Sequence, residues 1–243
     1  MPKIIVPKNI EVVIASFGGV GSTFLIKFVS KYKKTNEFDN SDRFKHSRLP
    51  LISFNPKIKF VYVFGNPQLA VASIFRRKYH HKQSKRLKKW NKHKGNIIDK
   101  KMTLDDYAME GEDKFHLRDH FLNWYKNYQA YPTLFIRYEE IHNNLETLFK
   151  FLEIPSSEKA KFPKWKPRKT KNEDISRITK NKLDEIYNQL NRELDKLNDV
   201  EILDKNYTWP FPKTIFDSAY RMPLKEELIR CVSKIFDKRP DKE

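Results

Sequence analysis

The stretch IASFGGVGSTFLIKFV (Ile14–Val29) joins an apolar strand to an amphipathic helix through a glycine-rich turn. The run IEVVIASF at residues 10–17 predicts a buried strand, and apolar residues recur at helical spacing from Ser22 onward. The helix is therefore predicted to begin at the Ser22–Thr23 pair. Such a turn can hold an anion, because backbone N–H groups converge there and the helix dipole favours negative charge.

This turn lacks the lysine of a nucleoside-triphosphate loop. In those loops a Gly-Lys-Ser/Thr ending places the lysine on the outer phosphates and the hydroxyl on magnesium. Here Ser22 and Thr23 follow Gly21 directly, which argues against a divergent kinase. Two interpretations stay open: a phosphate site, or a tight strand-to-helix turn in which Ser22 is only a helix cap. The candidate phosphate-binding residues are Gly18, Gly19, Val20, Gly21, Ser22 and Thr23.

Strands and helices alternate along the rest of the chain. The segments KIKFVYVF (57–64) and PTLFIRYEEI (132–141) are predicted as buried strands, each followed by a helical pattern. Thr103 and Asp106 predict a capping box at the start of another helix. This alternation predicts an α/β fold with a central parallel β-sheet flanked by helices.

Length and composition limit the organisation of the chain. Its 243 residues predict one domain, 1–243, with a C-terminal helical portion from about residue 172. The single cysteine, Cys231, excludes an internal disulfide and a CxxC-type zinc site, and no metal site is predicted. No apolar run is long enough for a membrane span and no signal peptide is visible, so we expect a soluble, cytoplasmic protein.

The net charge of +18 is concentrated in one segment. Residues Arg76–Lys101 contain twelve Lys and Arg residues against one acid, Asp99. This composition predicts an exposed basic excursion at 76–101. It is either a solvated face or a binding surface for a polyanion, such as a sulfated glycan, nucleic acid or an anionic membrane. Only Tyr79 and Trp90 interrupt the run as large aromatics, so nucleic acid is the less favoured partner.

Four segments resemble the PAPS-dependent sulfotransferase superfamily in order and spacing. They are KHSRLPL (45–51), KIKFVYVFGNPQLAVASIF (57–75), FHLRDHFLNWY (115–125) and TLFIRYEEIHNNLETLFKFLEIP (133–155), within a resemblance that covers residues 10–198. The resemblance implies the sulfotransferase variant of the P-loop NTPase-like fold. It also implies 3′-phosphoadenosine 5′-phosphosulfate (PAPS) as co-substrate, PAP as product, and no metal.

The resemblance also implies roles for individual residues. Gly21, Ser22 and Thr23 match the loop that holds the 5′-phosphosulfate, and Ser73 matches the serine that binds the 3′-phosphate. Arg137 and Glu139 match the third-strand motif, where we interpret them as an ion-pair and turn feature.

Two expected cations are missing from this chain. Gly19 stands where relatives carry a Lys or Arg that meets the bridging oxygen of the donor, and Gly65 stands where an arginine meets the 3′-phosphate. Lys45, just before Leu-Pro, is the candidate replacement beside the sulfuryl group. Candidates at the 3′-phosphate are Arg168 and Lys169, with Lys171, Arg76 and Arg77 as further basic residues in the region.

The proton acceptor is the least constrained role. His46 is the candidate general base, because a histidine titrates near neutral pH. It is displaced from the family's histidine position, where Arg48 stands. Glu110 and Glu112 are less favoured substitutes.

Two functional hypotheses remain. One is a sulfotransferase that acts on a hydroxyl or amine of a small-molecule or glycan acceptor, which the basic segment suggests is acidic. The other is a non-catalytic module that binds nucleotides or polyanions on the same fold. The oligomeric state is not predicted.

Overall fold

The protein was studied as a computed structural model, which describes residues 5–53, 55–88, 97–126, 131–164 and 174–204. Every described residue belongs to one compact unit. The elements in order are β1 (Ile5–Val6), β2 (Val12–Ala15), α1 (Ser22–Val29), β3 (Ile52–Ser53), β4 (Lys59–Phe64), α2 (Pro67–Arg76), α3 (His80–Lys88), α4 (Leu104–Met109), α5 (Leu117–Lys126), β5 (Thr133–Arg137), α6 (Leu145–Leu152), α7 (Arg177–Leu194) and β6 (Val200–Leu203). Short 3₁₀ turns occupy Tyr138–Glu140 and Ser156–Lys161.

The central sheet has the strand order β2-β4-β5-β6. The first three strands are parallel, with Ile14 opposite Val61 and Tyr62 opposite Phe135. β1 and β3 form a separate two-stranded parallel sheet. The prediction of an α/β fold around a parallel sheet is confirmed. The C-terminal ends of β2, β4 and β5 share one edge, which is where ligands bind in open α/β sheets.

Strand β4 is buried on both faces, which explains its uninterrupted apolar sequence. Tyr62 packs against α5, with its ring 5.5 Å from that of Trp124. Val61 and Val63 point to the opposite face and are also fully buried. Both faces of the sheet at β4 are therefore covered, and neither faces solvent.

The antiparallel edge strand β6 was not predicted. It is only four residues long and follows α7, in the portion expected to be helical. Arg137 at the end of β5 holds this edge, because its Nε lies 2.9 Å from Asp199 Oδ1 and it also donates to the Leu194 carbonyl at 2.8 Å. Arg137 is thus a structural ion-pair residue, as interpreted from the sequence.

Local signals explain several helix starts. Asn66 in the Gly-Asn-Pro turn caps α2, with its Oδ1 accepting from the Leu69 amide at 2.8 Å, and Pro67 follows as the first helical residue. The capping box of Thr103 and Asp106 at α4 is confirmed. Within the described ranges, no helix combines the length and the apolar character needed to cross a bilayer.

Candidate functional site

The glycine loop, residues 18–21, lies between the C-terminal end of β2 and the start of α1. Gly18, Gly19 and Gly21 have φ values of 102°, 76° and 73°, so all three adopt conformations that favour glycine. The Ser16 hydroxyl closes the loop, since it accepts from the Gly18 amide at 3.2 Å and lies 2.9 Å from Ser22 Oγ. The loop is therefore held in one shape at the N terminus of an eight-residue helix.

Gly19 is packed against the backbone of α2. A Cβ placed on Gly19 would lie 2.5 Å from the Ala70 carbonyl oxygen and 2.8 Å from Ala70 Cα. Backbone atoms of a buried helix cannot withdraw from such a contact at low cost, so no side chain fits here. A lysine or arginine, which the resemblance leads one to expect at this position, would therefore collide with the backbone of α2.

Lys45 brings a positive charge to the loop from a distant part of the sequence. Its Nζ donates to Thr23 Oγ1 at 2.7 Å and to the Phe38 carbonyl at 2.6 Å. The Ser16 amide donates to the Lys45 carbonyl at 2.9 Å, which ties this segment to the end of β2. The Lys45 residue is only 8% exposed, and its burial, together with the positive charges of Arg86 and Arg77, lowers its pKa to about 8.

Helix α3 forms a wall of the site. Gln83 Nε2 donates to the Phe17 carbonyl at 3.0 Å, and Gln83 and Leu87 are buried on its inner face. The outer face carries Lys82 and Lys85, which are exposed. The described part of the basic segment, 76–88 and 97–101, thus has an exposed cationic side and a packed side. Gln83 and Ser16 were not identified from the sequence, because neither belongs to a recognisable motif.

His46 lies beneath the loop. Its Nδ1 is 2.9 Å from the Ser16 carbonyl, which selects the tautomer protonated at Nδ1. Burial lowers the pKa of His46 to about 3, and the neighbouring Lys45 charge contributes. The imidazole is consequently neutral at physiological pH, with its Nε2 lone pair available.

Arg48, at the family's histidine position, and the two alternative bases are placed differently from His46. Arg48 is buried, and its Nη2 lies 3.5 Å from Asp119 Oδ2. Glu110 pairs with Lys114 on its own stretch of chain, and Glu112 is exposed. Within the described residues, neither glutamate forms a hydrogen bond or an ion pair with the glycine loop.

The second expected anion position lies between β4 and α2. Ser73 lies on α2, half-buried, and its carbonyl accepts from Arg77 Nε at 3.0 Å. A Cβ on Gly65 would lie 2.7 Å from Glu139 Oε2, so a carboxylate fills the space beside Gly65. Arg168, Lys169 and Lys171 lie outside the described residues.

The comparison with protein families decides the identity of the fold. The family model of the sulfotransferase domain matches residues 40–196, about two thirds of the chain. The chain belongs to the sulfotransferase family. A solved mouse sulfotransferase, SULT7A1 complexed with PAP, is 14% identical, with 98% of this chain and 87% of that chain covered and a TM-score of 0.38. A search of curated proteins found no match.

The match to the sulfotransferase domain begins after the glycine loop. It includes Lys45, His46 and Ser73, together with the strands β4 and β5. The role of the loop in this sulfotransferase therefore rests on its geometry. No cluster of His, Cys, Asp and Glu suited to a metal occurs in the portion of the chain that the structure describes.

Proposed function

We propose that the chain transfers a sulfuryl group from PAPS to a hydroxyl or amine of an acidic small-molecule or glycan acceptor. The observation that carries this proposal is the contact of Lys45 with Thr23 at the start of α1. It supplies a cation to a loop whose own cation position, Gly19, is sterically closed.

The site fits the phosphosulfate end of PAPS. The amides at the start of α1 and the Lys45 ammonium together offer hydrogen-bond donors and a positive charge without a metal. The fit at the 3′-phosphate is less complete, because Glu139 stands beside Gly65. We propose Ser73, Arg168 and Lys169 as the groups that bind there.

PAPS, when bound, supplies a sulfuryl group whose bond to the 5′-phosphate oxygen breaks as the acceptor atom bonds to sulfur. The protein's part is positioning, charge stabilisation and removal of the acceptor's proton. Lys45 is held where it would stabilise negative charge at the loop. Its partly lowered pKa of about 8 still leaves it mainly protonated at neutral pH.

His46 is the proposed proton acceptor. Its Nδ1–H donates to the Ser16 carbonyl, which fixes the ring and leaves Nε2 as the basic atom. A pKa of about 3 makes a weak base in the free protein. An anion bound at the loop would raise this pKa, because a nearby negative charge favours the imidazolium.

The test is transfer of labelled sulfate from PAPS to a panel of glycan, phenol and peptide acceptors, with PAP binding measured by calorimetry without magnesium. Lys45→Ala should lower turnover by at least about a hundredfold, the equivalent of roughly 2.7 kcal/mol, and should weaken PAP binding less. Arg168→Ala should weaken PAP binding more than turnover. Lys150→Ala, an exposed lysine on α6, is the control and should change neither.

The alternative is a non-catalytic nucleotide- or polyanion-binding module on the same fold, suggested by the glycines that stand at the two expected cation positions, Gly19 and Gly65. PAP binding without transfer to any acceptor would support this alternative. Binding of ATP with magnesium and no heat with PAP would overturn the sulfotransferase proposal and favour a divergent kinase.

A further inference from the structure

A cavity of about 470 Å³ lies on the side of α2 that faces away from the glycine loop. Ala70 packs on Gly19, whereas Ala72 and Phe75 line the cavity. At roughly 100° per residue, these two residues lie about 140–160° around the helix from Ala70. The volume is within the range of small-molecule sites, roughly 300–1,000 Å³.

The inner wall of the cavity is largely apolar and contains one stacked aromatic pair. The Phe75 ring stacks on His80, with 4.5 Å between centroids and 4° between planes. His80 is 5% exposed, and its Nε2 lies 3.1 Å from the Lys100 carbonyl. Its buried Nδ1 has no hydrogen-bond partner among the described residues. The other apolar lining residues are Ala72, Met102, Leu104 and Ile175.

The rim of the cavity is cationic. Lys78, Lys100 and Lys101 line it, are exposed, and form no ion pair within the described ranges. Arg76 adds a fourth positive charge, and Asp174 is the acidic residue of the lining. The positive charges therefore outnumber the negative ones where the cavity opens to solvent.

Lys78 occupies a backbone position that favours glycine. Its φ is 57°, and it follows the C-cap of α2, where its amide donates to the Phe75 carbonyl at 2.7 Å and the Tyr79 amide donates to the Ile74 carbonyl at 3.0 Å. This pattern is the Schellman motif, whose left-handed residue is usually glycine. A lysine at this left-handed position makes the fold less stable than a glycine would, and it places a positive charge at the rim.

We propose that this cavity binds a small amphipathic anion, with an apolar ring against Phe75 and Ile175 and a sulfate, sulfonate or carboxylate facing Lys78, Lys100 and Lys101. This site is separate from the glycine loop and does not depend on sulfuryl transfer. An apolar floor with convergent cations is the arrangement that selects such a ligand over a purely polar anion or an uncharged ring.

The probe for this site is naphthalene-2-sulfonate, with 2-naphthol as its uncharged counterpart. Binding to the full chain is followed by calorimetry, and its place by NMR shifts of Met102 and Ile175. The sulfonate should bind at least tenfold more tightly than the naphthol, and excess PAP should not displace it. Equal affinity for the two probes, or displacement by PAP, would overturn the proposal.

Two variants and a control complete the test. Lys100→Gln with Lys101→Gln should weaken sulfonate binding at least tenfold, whereas Lys31→Gln with Lys150→Gln, the same change of charge on exposed lysines of another region, should leave it unchanged. Lys78→Gly should weaken binding threefold or more while raising the melting temperature, because it removes a charge and relieves a left-handed lysine. Unaltered binding in both cavity variants would contradict the assignment.

Discussion

Lys45 is the residue that we propose as the replacement for the cation absent at Gly19, because its Nζ contacts Thr23 at the start of α1. The segment around residue 45 is docked on the edge of β2, where the Asn36 side chain pairs with the Ile14 amide at 2.8 Å. This docking carries Lys45 to Thr23, 22 residues earlier in the sequence. Its charge is therefore available at the loop only while the amine stays protonated.

The first prediction follows from the lowered pKa of Lys45, about 8 in the free protein. The protonated form binds an anion, so PAP affinity should fall as pH rises from 7 through about 8. Calorimetric titrations between pH 6 and 9.5 measure this. In Lys45→Arg the fall should disappear from this range, because a guanidinium keeps its proton. An identical fall in both proteins would assign the titration to another group.

The glycine loop and α2 behave as one packed unit. The close contact of Gly19 with Ala70 excludes a side chain, and the Ser16 hydroxyl links the two ends of the loop. α3 packs on the other side through Gln83 and Phe17. A change at Gly19 must therefore displace a helix, whereas the same change at an isolated glycine affects only its own backbone.

The second prediction compares two glycines with almost equal φ values, Gly19 at 76° and Gly111 at 72°. Gly111→Ala should cost about 1 kcal/mol of unfolding free energy, the strain of a left-handed alanine, because nothing lies within 4 Å of its Cβ. Gly19→Ala should cost at least about 3 kcal/mol, since its Cβ also meets the α2 backbone. Chemical denaturation measures both, and equal losses would show that α2 does not press on the loop.

Two buried histidines connect the site to the stability of the whole molecule. Burial lowers the pKa of His46 and of His120 to about 3 in the folded state. Unfolded histidines titrate near 6.5, so the unfolded chain binds more protons below that pH. Their stabilising contribution is complete above about pH 6.5 and is lost as pH falls toward 3. Asp113, whose pKa is raised to about 6 by burial, acts in the opposite direction.

The third prediction isolates His46 from these opposing groups. His46→Asn keeps a donor for the Ser16 carbonyl but cannot take up a proton. The difference in unfolding free energy between the native chain and this variant should shrink by roughly 2–3 kcal/mol from pH 7 to pH 4. Urea denaturation at several pH values measures the difference. A constant difference would mean that His46 does not titrate on unfolding.

The net charge of +18 gives the molecule a long-range attraction for polyanions. The fourth prediction is that Lys82→Gln with Lys85→Gln weakens heparin affinity by on the order of tenfold, from about 1 kcal/mol for each lysine at an anionic surface. These side chains are exposed on the outer face of α3, so folding should be unchanged. Lys31→Gln with Lys150→Gln is the matched control. If both double variants eluted from heparin at the same salt concentration, the lysines of α3 would contribute only through the net charge of the protein.

The strands and helices of the sheet were predictable because their signals are local. Apolar runs mark β2, β4 and β5, helical spacing marks α1 and α6, and the caps at Asn66 and Thr103 mark helix starts. The strand β6 was missed, because a four-residue edge strand has too short a pattern and its edge is held by Arg137 of another strand. The choice of Lys45 as the cation beside the loop also came from the sequence, through its place before Leu-Pro.

What local patterns specify in this chain is the set of elements, their order and the residue types that the loop can offer to an anion. What only packing specifies is the pairing of those residues: the closure of Gly19 by Ala70, the docking of Gln83 on Phe17, the carboxylate of Glu139 beside Gly65, and the cavity behind α2. The physical reason is the separation in sequence of the residues that interact. Periodicity and capping involve residues a few positions apart, whereas the three residue contacts just named each join positions more than 50 apart and exist only once the sheet has brought its helices together.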